Sequence, residues 1–134
     1  MSQSNNLQSK IELRHDYIFK KEKMYYKSVR QRNKDTEVDI IFKNINLNKN
    51  LVKRAYEHLF ENKYRLDNGI NNFYPDYNIA VSWQRLREGK TMKKQDLILL
   101  CHEALEHYLM NKYNYNYSEA HGIAERKYNF SSYI

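Results

Sequence analysis

The sequence predicts an α+β domain that is predominantly α-helical, with a helical C-terminal half and a short strand-bearing N-terminal region. Three observations lead there. Apolar residues recur at helical spacing in several stretches after residue 48. One stretch before it, "TEVDIIFKNI" (Thr36–Ile45), is rich in β-branched residues and reads as a strand. A chain of 134 residues is long enough for one hydrophobic core and too short for two. The expected organisation is a polar, frayed tail over 1–9 and a single domain over 10–134.

Taken in order, residues 10–34 are dense in positive charge and aromatic rings, as in "RHDYIFKKEKMYYKSVRQRNK". Basic residues interleaved with Tyr17, Phe19, Tyr25 and Tyr26 suit either a backbone-tracking, base-stacking surface or an amphipathic segment with aromatics in the core. The first helix starts near Asn48, a good N-cap, with Leu51, Val52, Ala55, Tyr56 and Leu59 at helical spacing. "YRLDNGINNFYPD" follows as a loop carrying Gly69 and the only proline, Pro75. Asp76 caps a second helix whose Ile79, Trp83 and Leu86 share a face and whose end is Gly89. A third helix spans about Lys94 to Tyr113. A shorter fourth opens at Ser118, with Ala120, Ile123 and Ala124 inward.

Hydrophobic residues at 41% and charged residues at 29% fit a soluble globular chain. No apolar run approaches the roughly 18 residues of a membrane span, and "MSQSNNLQSK" lacks the apolar segment of a signal peptide. Localisation therefore stays open. The single cysteine, Cys101, excludes an internal disulfide and a cysteine-rich zinc site, and no disulfide-linked partner is expected. Lys+Arg 23 against Asp+Glu 16 gives a net charge of +7, which favours polyanionic partners through counterion release. The abundance of Asn, Lys, Tyr and Ile is also what an AT-rich genome produces.

The third helix holds the chemistry, in "LLCHEALEHYLM". At about 100° per residue, Leu97, Leu100, Cys101, Ala104, Leu105 and Tyr108 form the expected core stripe. Asp96, Glu103 and His107 fall together on a side expected to face solvent. On the remaining side Leu99, His102, Glu106 and Leu109 stack, placing two ionisable groups between two leucines. An unpaired carboxylate there is costly, so a hydrogen-bonded His102–Glu106 pair is expected. It serves either as an oriented general base or as a buried structural pair.

Spacing also bears on metal binding. A zinc-peptidase helix reads H-E-x-x-H, with both histidines one turn apart. His107 comes five residues after His102 and is turned away by roughly 140°, so those two cannot share a metal. A His102/Glu106 pair with His121 as third ligand is the remaining metal alternative; the expectation is no metal and no cofactor. His15 lies in the basic segment without a visible partner, and His58 reads as a core-edge residue. His121, in the first turn of the last helix, is expected to have its pKa depressed by the helix dipole.

The stretches "YEHLFENKYRL", "FYPDYNIAVSWQRLREGK", "QDLILLCHEALEHYLM" and "YSEAHGIAERKYNF" occur in the order seen in a toxin-like C-terminal domain. From about Lys53 to Phe130 the chain resembles that family, found at the ends of Firmicute polymorphic toxins and of phage minor-head (head-morphogenesis) proteins. Its pattern couples an S-W-Q-R-L helix, an H-E-x-x-E helix and a Y-x-E-A-H element. Carried over, this marks Ser82, Trp83, Gln84 and Arg85, then His102, Glu103 and Glu106, then Glu119 and His121. The basic segment before Lys53 has no counterpart in the pattern.

The resemblance implies a toxin or effector domain, and the residues suggest a nuclease acting on RNA or DNA. His102 and His121 exchange the proton, Glu106 orients His102, and Arg85 stabilises charge developing on the phosphate. Arg85 lies off the Ile79–Trp83–Leu86 stripe and is expected to point outward. Trp83, Gln84 and Glu103 are the expected substrate contacts. Nucleic acid and a cognate immunity protein are the expected partners. Two alternatives remain: a non-enzymatic binder of nucleic acid or protein, in which His102 and Glu106 are structural, and an enzyme acting on a nucleotide or NAD-type substrate. The three scattered glycines form no phosphate loop, which weighs against the last.

Overall fold

Short polar side chains start most of the helices. Asn33, Asn48, Asp76 and Asn116 each accept a hydrogen bond from a backbone N–H two or three residues ahead, satisfying donors that a helix N-terminus leaves without partners. The resulting elements, in a computed structural model that describes residue 10 and residues 20–134, follow in order. Helix α1 covers 20–31. It is followed by α2 (Lys34–Ile45), α3 (Lys49–Tyr56), a π-helical turn (Glu57–Glu61), β1 (Tyr64–Leu66) and β2 (Gly69–Asn71). Then come α4 (Tyr77–Glu88), α5 (Lys94–Lys112), α6 (Tyr117–Lys127) and a 3₁₀ turn (Phe130–Tyr133). The fold is α+β and predominantly helical. The tail at 1–9, and His15, Tyr17 and Phe19, lie outside the described residues.

The strand expected at Thr36–Ile45 is instead the body of α2. The α2 residues in or packed against the core, Val38, Ile41, Phe42 and Ile45, fall at spacings of three, one and three, which is one helical face. The Asn33 cap and the acidic first turn, Asp35 and Glu37, reinforce the helix. Periodicity here outweighs β-branched propensity. The strands lie instead in the segment expected to be a loop, as an antiparallel hairpin with Leu66 opposite Gly69 and Tyr64 opposite Asn71. β2 is exposed throughout, so no apolar alternation announces it.

The core gathers Tyr26 and Val29 from α1, Val38 and Ile41 from α2, Val52 and Ala55 from α3, and Trp83 and Leu86 from α4. Phe60, from the π-turn, packs 5.0 Å from both Tyr26 and Trp83, ring centre to ring centre. Two buried carboxylates tie this core together. Glu37 accepts from the Trp83 indole at 3.0 Å and from Arg32 and Arg87, each at 2.8 Å. Asp96 accepts from Ser82 Oγ at 2.7 Å, from the Lys93 N–H at 2.8 Å and from Arg85 at both oxygens. α4 closes at Gly89, where φ is +74° and the backbone N–H reaches the Arg85 carbonyl. A Cβ there would meet the Asn44 side chain at 2.6 Å, and Asn44 is fixed by donating to the Leu86 and Arg87 carbonyls.

α5 packs against α3, α4, α6 and the π-turn, which corrects the expected faces of this helix. Its buried residues include Asp96 and Glu103, both expected in solvent, along with Leu99, Leu100, His102, Ala104, Glu106 and Met110. With neighbours on several sides, no broad face is left for solvent. The exposure falls at Leu97, Cys101, Leu105 and Tyr108, which are only partly buried. Among the described residues no helix is long and apolar enough to cross a membrane. Cys101 is a free thiol.

Candidate functional site

Three elements bring histidines to one carboxylate. His102 and Glu106 stand one turn apart on α5, where i and i+4 side chains meet. α6, capped reciprocally by Asn116 and Glu119, presents His121. The third histidine comes from the π-turn, where the Asn62 N–H reaches back five residues to the Glu57 carbonyl. This wide turn buries His58, Leu59 and Phe60 in succession, and so aims His58 inward.

Glu106 receives all three. His58 Nε2 lies 2.9 Å from Oε1, while His102 Nε2 and His121 Nδ1 lie 2.5 and 2.7 Å from Oε2. The far sides of two rings are also engaged. His102 Nδ1 donates to the Tyr128 carbonyl at 3.0 Å. His58 Nδ1 is 2.8 Å from the Tyr64 hydroxyl, which accepts from the amides of Asn62 and Asn111. With two amide donors aimed at it, that hydroxyl gives its one proton to His58 Nδ1, leaving the Nε2–H of His58 to donate to Glu106.

Electrostatics differentiates the members. Burial lowers the pKa of His58 and outweighs its bond to Glu106, so this ring is neutral. Burial also opposes a charge on His102, but the bond to Glu106 and the neighbouring Glu103 push its pKa up to about 9. Burial likewise opposes the charge on Glu106, and the three histidines overcome it and hold the carboxyl well below its ordinary range. Glu103 goes the other way: burial, then the charge of Glu106, raise it well above a normal carboxyl. The bond to Glu106 raises His121, correcting the expected depression. A carboxylate in direct contact outweighs the partial charge of a helix end.

His102, Glu106 and His121 form part of the wall of a cleft of about 1170 Å³, which Tyr26, Asp76, Tyr117 and Glu125 also line, with His58 behind it. Side-chain exposure grades from 0% at His58 through 2% at Glu106 and 4% at His102 to 43% at His121. Glu103 lines the same cleft. It lies 3.8 Å from His58 Nε2, beyond hydrogen bonding. By residue type the cleft is acidic: Asp67, Asp76, Glu103, Glu106 and Glu125 line it, against Arg65, His102 and His121.

Of the residues marked in the sequence, His102, Glu103, Glu106 and His121 meet in this cleft. Trp83, Gln84 and Arg85 do not line it. Trp83 is fully buried in the core and so out of reach of a substrate. Gln84 accepts from the Tyr25 hydroxyl and donates to Glu88. Arg85, expected to point outward, is drawn onto Asp96 by a two-point ion pair, since a buried carboxylate demands a partner. Glu119 caps α6 through the Asn116 N–H. His107 pairs with Glu57 at 3.3 Å and meets His58 edge-on, ring centres 6.1 Å apart, with Glu57 and not Glu106 as its carboxylate partner.

His58, Tyr64 and the Tyr128 carbonyl were not legible as site members. The only signal for His58 was a histidine beside an apolar stripe, and its inward aim depends on a π-turn that periodicity does not reveal. Compared with known proteins, the chain matches no family model, no curated protein and no solved structure. The functional reading accordingly rests on the site itself.

Proposed function

We propose that this domain is a toxin- or effector-type nuclease, cleaving phosphodiester bonds of RNA or DNA in the cleft between α5 and α6. The observation that carries the reading is the convergence of three histidines on Glu106, beside a buried Glu103 that lies 3.8 Å from His58. A carboxyl with a raised pKa is suited to take a proton from the attacking hydroxyl and return one to the leaving oxygen. The histidine side of Glu106 concentrates positive character, and His121 carries it furthest into the cleft. Such a centre favours the charge that gathers on the phosphoryl oxygens in the transition state. The net charge of +7 supports non-specific affinity for a polyanion. Arg85 has no part in this reading, and an acidic immunity protein is the matching partner.

A second reading is favoured by the acidic lining of the cleft: hydrolysis of a peptide bond at the same centre. One experiment separates the two. The purified chain is incubated with total RNA, with plasmid DNA and with an unfolded protein, each with and without divalent metal. The nuclease reading expects nucleic acid to be cut and Glu103→Gln to slow the cutting by about 10²- to 10⁴-fold. Intact nucleic acid at high protein concentration would remove it, and cut protein in the same tubes would establish the second reading.

A further inference from the structure

Phosphoryl transfer in an acidic cleft calls for a cation, and Arg85 is committed to Asp96. We infer that His102 Nε2, Glu106 Oε2 and His121 Nδ1 are the three protein ligands of a zinc-class divalent metal at the wall of the cleft. The inference deepens the nuclease reading and rests on it for the substrate only; metal binding is tested on its own.

The donor atoms already converge. Both nitrogens lie within 2.7 Å of the same carboxylate oxygen, and all three ligand atoms fall within 4.8 Å of one another. A tetrahedral zinc with bonds of about 2.0–2.2 Å holds its ligand atoms about 3.3 Å apart. Each nitrogen–oxygen separation therefore has to open by less than about 1 Å. Rotation of the half-exposed His121 side chain supplies much of that movement.

The groups behind the ligands argue for the same assignment. Metal-bound histidines ordinarily donate their second N–H to a carbonyl or carboxylate, and carboxylate ligands are themselves hydrogen-bonded. His102 donates from Nδ1 to the Tyr128 carbonyl, which turns the lone pair of its neutral form at Nε2 toward the shared point. Glu106 is held from behind at Oε1 by His58, which the Tyr64 hydroxyl fixes in turn. His58 is thus a positioning residue. His102 keeps only 4% side-chain exposure, and a ligand needs only to touch the metal.

The arrangement is also asymmetric in the way of a catalytic site, with three protein ligands and one open position. The open position would face the cleft, which Glu103 also lines. The zinc-peptidase spacing excludes only His102 with His107. Here the i+4 ligand is Glu106, and α6 supplies the second imidazole. This revises the metal-free expectation.

The test titrates Zn²⁺ alone into the full chain stripped of metal, by calorimetry and by elemental analysis after dialysis. About one zinc per chain is expected for the wild type, and equally for His107→Ala. His121→Ala, altered at a half-exposed side chain and checked for folding by circular dichroism, should lose the binding. His58→Phe should weaken it about 10- to 100-fold. A folded wild type without saturable binding, or equal binding by His121→Ala, overturns the site. Zinc bound without cleavage of nucleic acid upholds the site and removes the nuclease reading. Cleavage that resists EDTA, in a protein that binds no zinc, does the reverse.

Discussion

Glu37 and Glu106 are both carboxylates at 2% exposure or less, and each holds three donors. Around Glu37 the donors are an indole and two guanidiniums. None of them loses a proton at physiological pH, and the node joins α2, α4 and the turn after α1 that carries Arg32. Around Glu106 the donors are three histidines, whose protons are exchangeable near neutrality, and the node borders an open cleft. The same buried charge is thus a strut in one place and a reactive centre in the other. What decides is the chemistry of the donors and the access of solvent, and burial alone does not distinguish them.

Substitution should separate the two nodes. Removing Glu37 leaves the buried Trp83 indole and two partly exposed guanidiniums without their acceptor, so Glu37→Ala should cost about 3 kcal/mol, read by denaturant unfolding. Glu106→Gln keeps the shape and one acceptor, so it should lose far less stability while abolishing activity. If Glu106→Gln is as destabilising as Glu37→Ala and no activity is found to lose, both nodes are struts.

Arg85 belongs with the struts. Arg85→Ala should destabilise by about 1–3 kcal/mol, because Asp96 keeps only its Ser82 and Lys93 bonds. Cleavage per folded molecule should stay within about twofold of wild type, well short of the tenfold that about 1.4 kcal/mol represents. A selective loss of activity at unchanged stability would return Arg85 to the site.

A smaller effect concerns pH. His102 has its folded pKa raised to about 9, above its ordinary 6.5. Its contribution to the stability of the metal-free protein is full below the ordinary value and fades as pH rises through about 9. Melting temperature followed over that window should fall, and His102→Gln should flatten the fall. Glu37 offers no donor that titrates there, so the wild-type slope, if retained by His102→Gln, would place the titrating group elsewhere. The least effect is expected at His107, whose replacement by alanine should leave cleavage within about twofold, since its partner is Glu57 and not Glu106.

Much of this scaffold was legible because its helix ends are written locally. Asn48, Asp76 and Gly89 mark boundaries by side-chain or backbone chemistry within four residues of themselves. The His102–Glu106 pair was legible for the same reason, being one turn of one helix. The rest depended on neighbours. α2 reads as a strand in the sequence because the value of Val38 and Ile41 lies in the face they share, which the β-branched run disguises. Asp96 and Glu103 were placed in solvent because an amphipathic reading assumes one buried side, and α5 has several. Nothing local to Arg85 announces its partner, because Asp96 is eleven residues away and on another helix. His58 needed a π-turn to reach Glu106 across 48 residues of chain.

The central claim is that the Glu106 node is reactive and the Glu37 node is not. His121→Ala tests it most directly, because His121 is the most exposed of the three histidines on Glu106 and can be removed without emptying the core. Cleavage of total RNA and plasmid DNA should be compared for the wild type and His121→Ala at matched folded concentration. The account predicts cutting by the wild type and a loss of about a hundredfold or more in the variant. Equal cutting by the two, or none by the wild type under any metal condition, would contradict it.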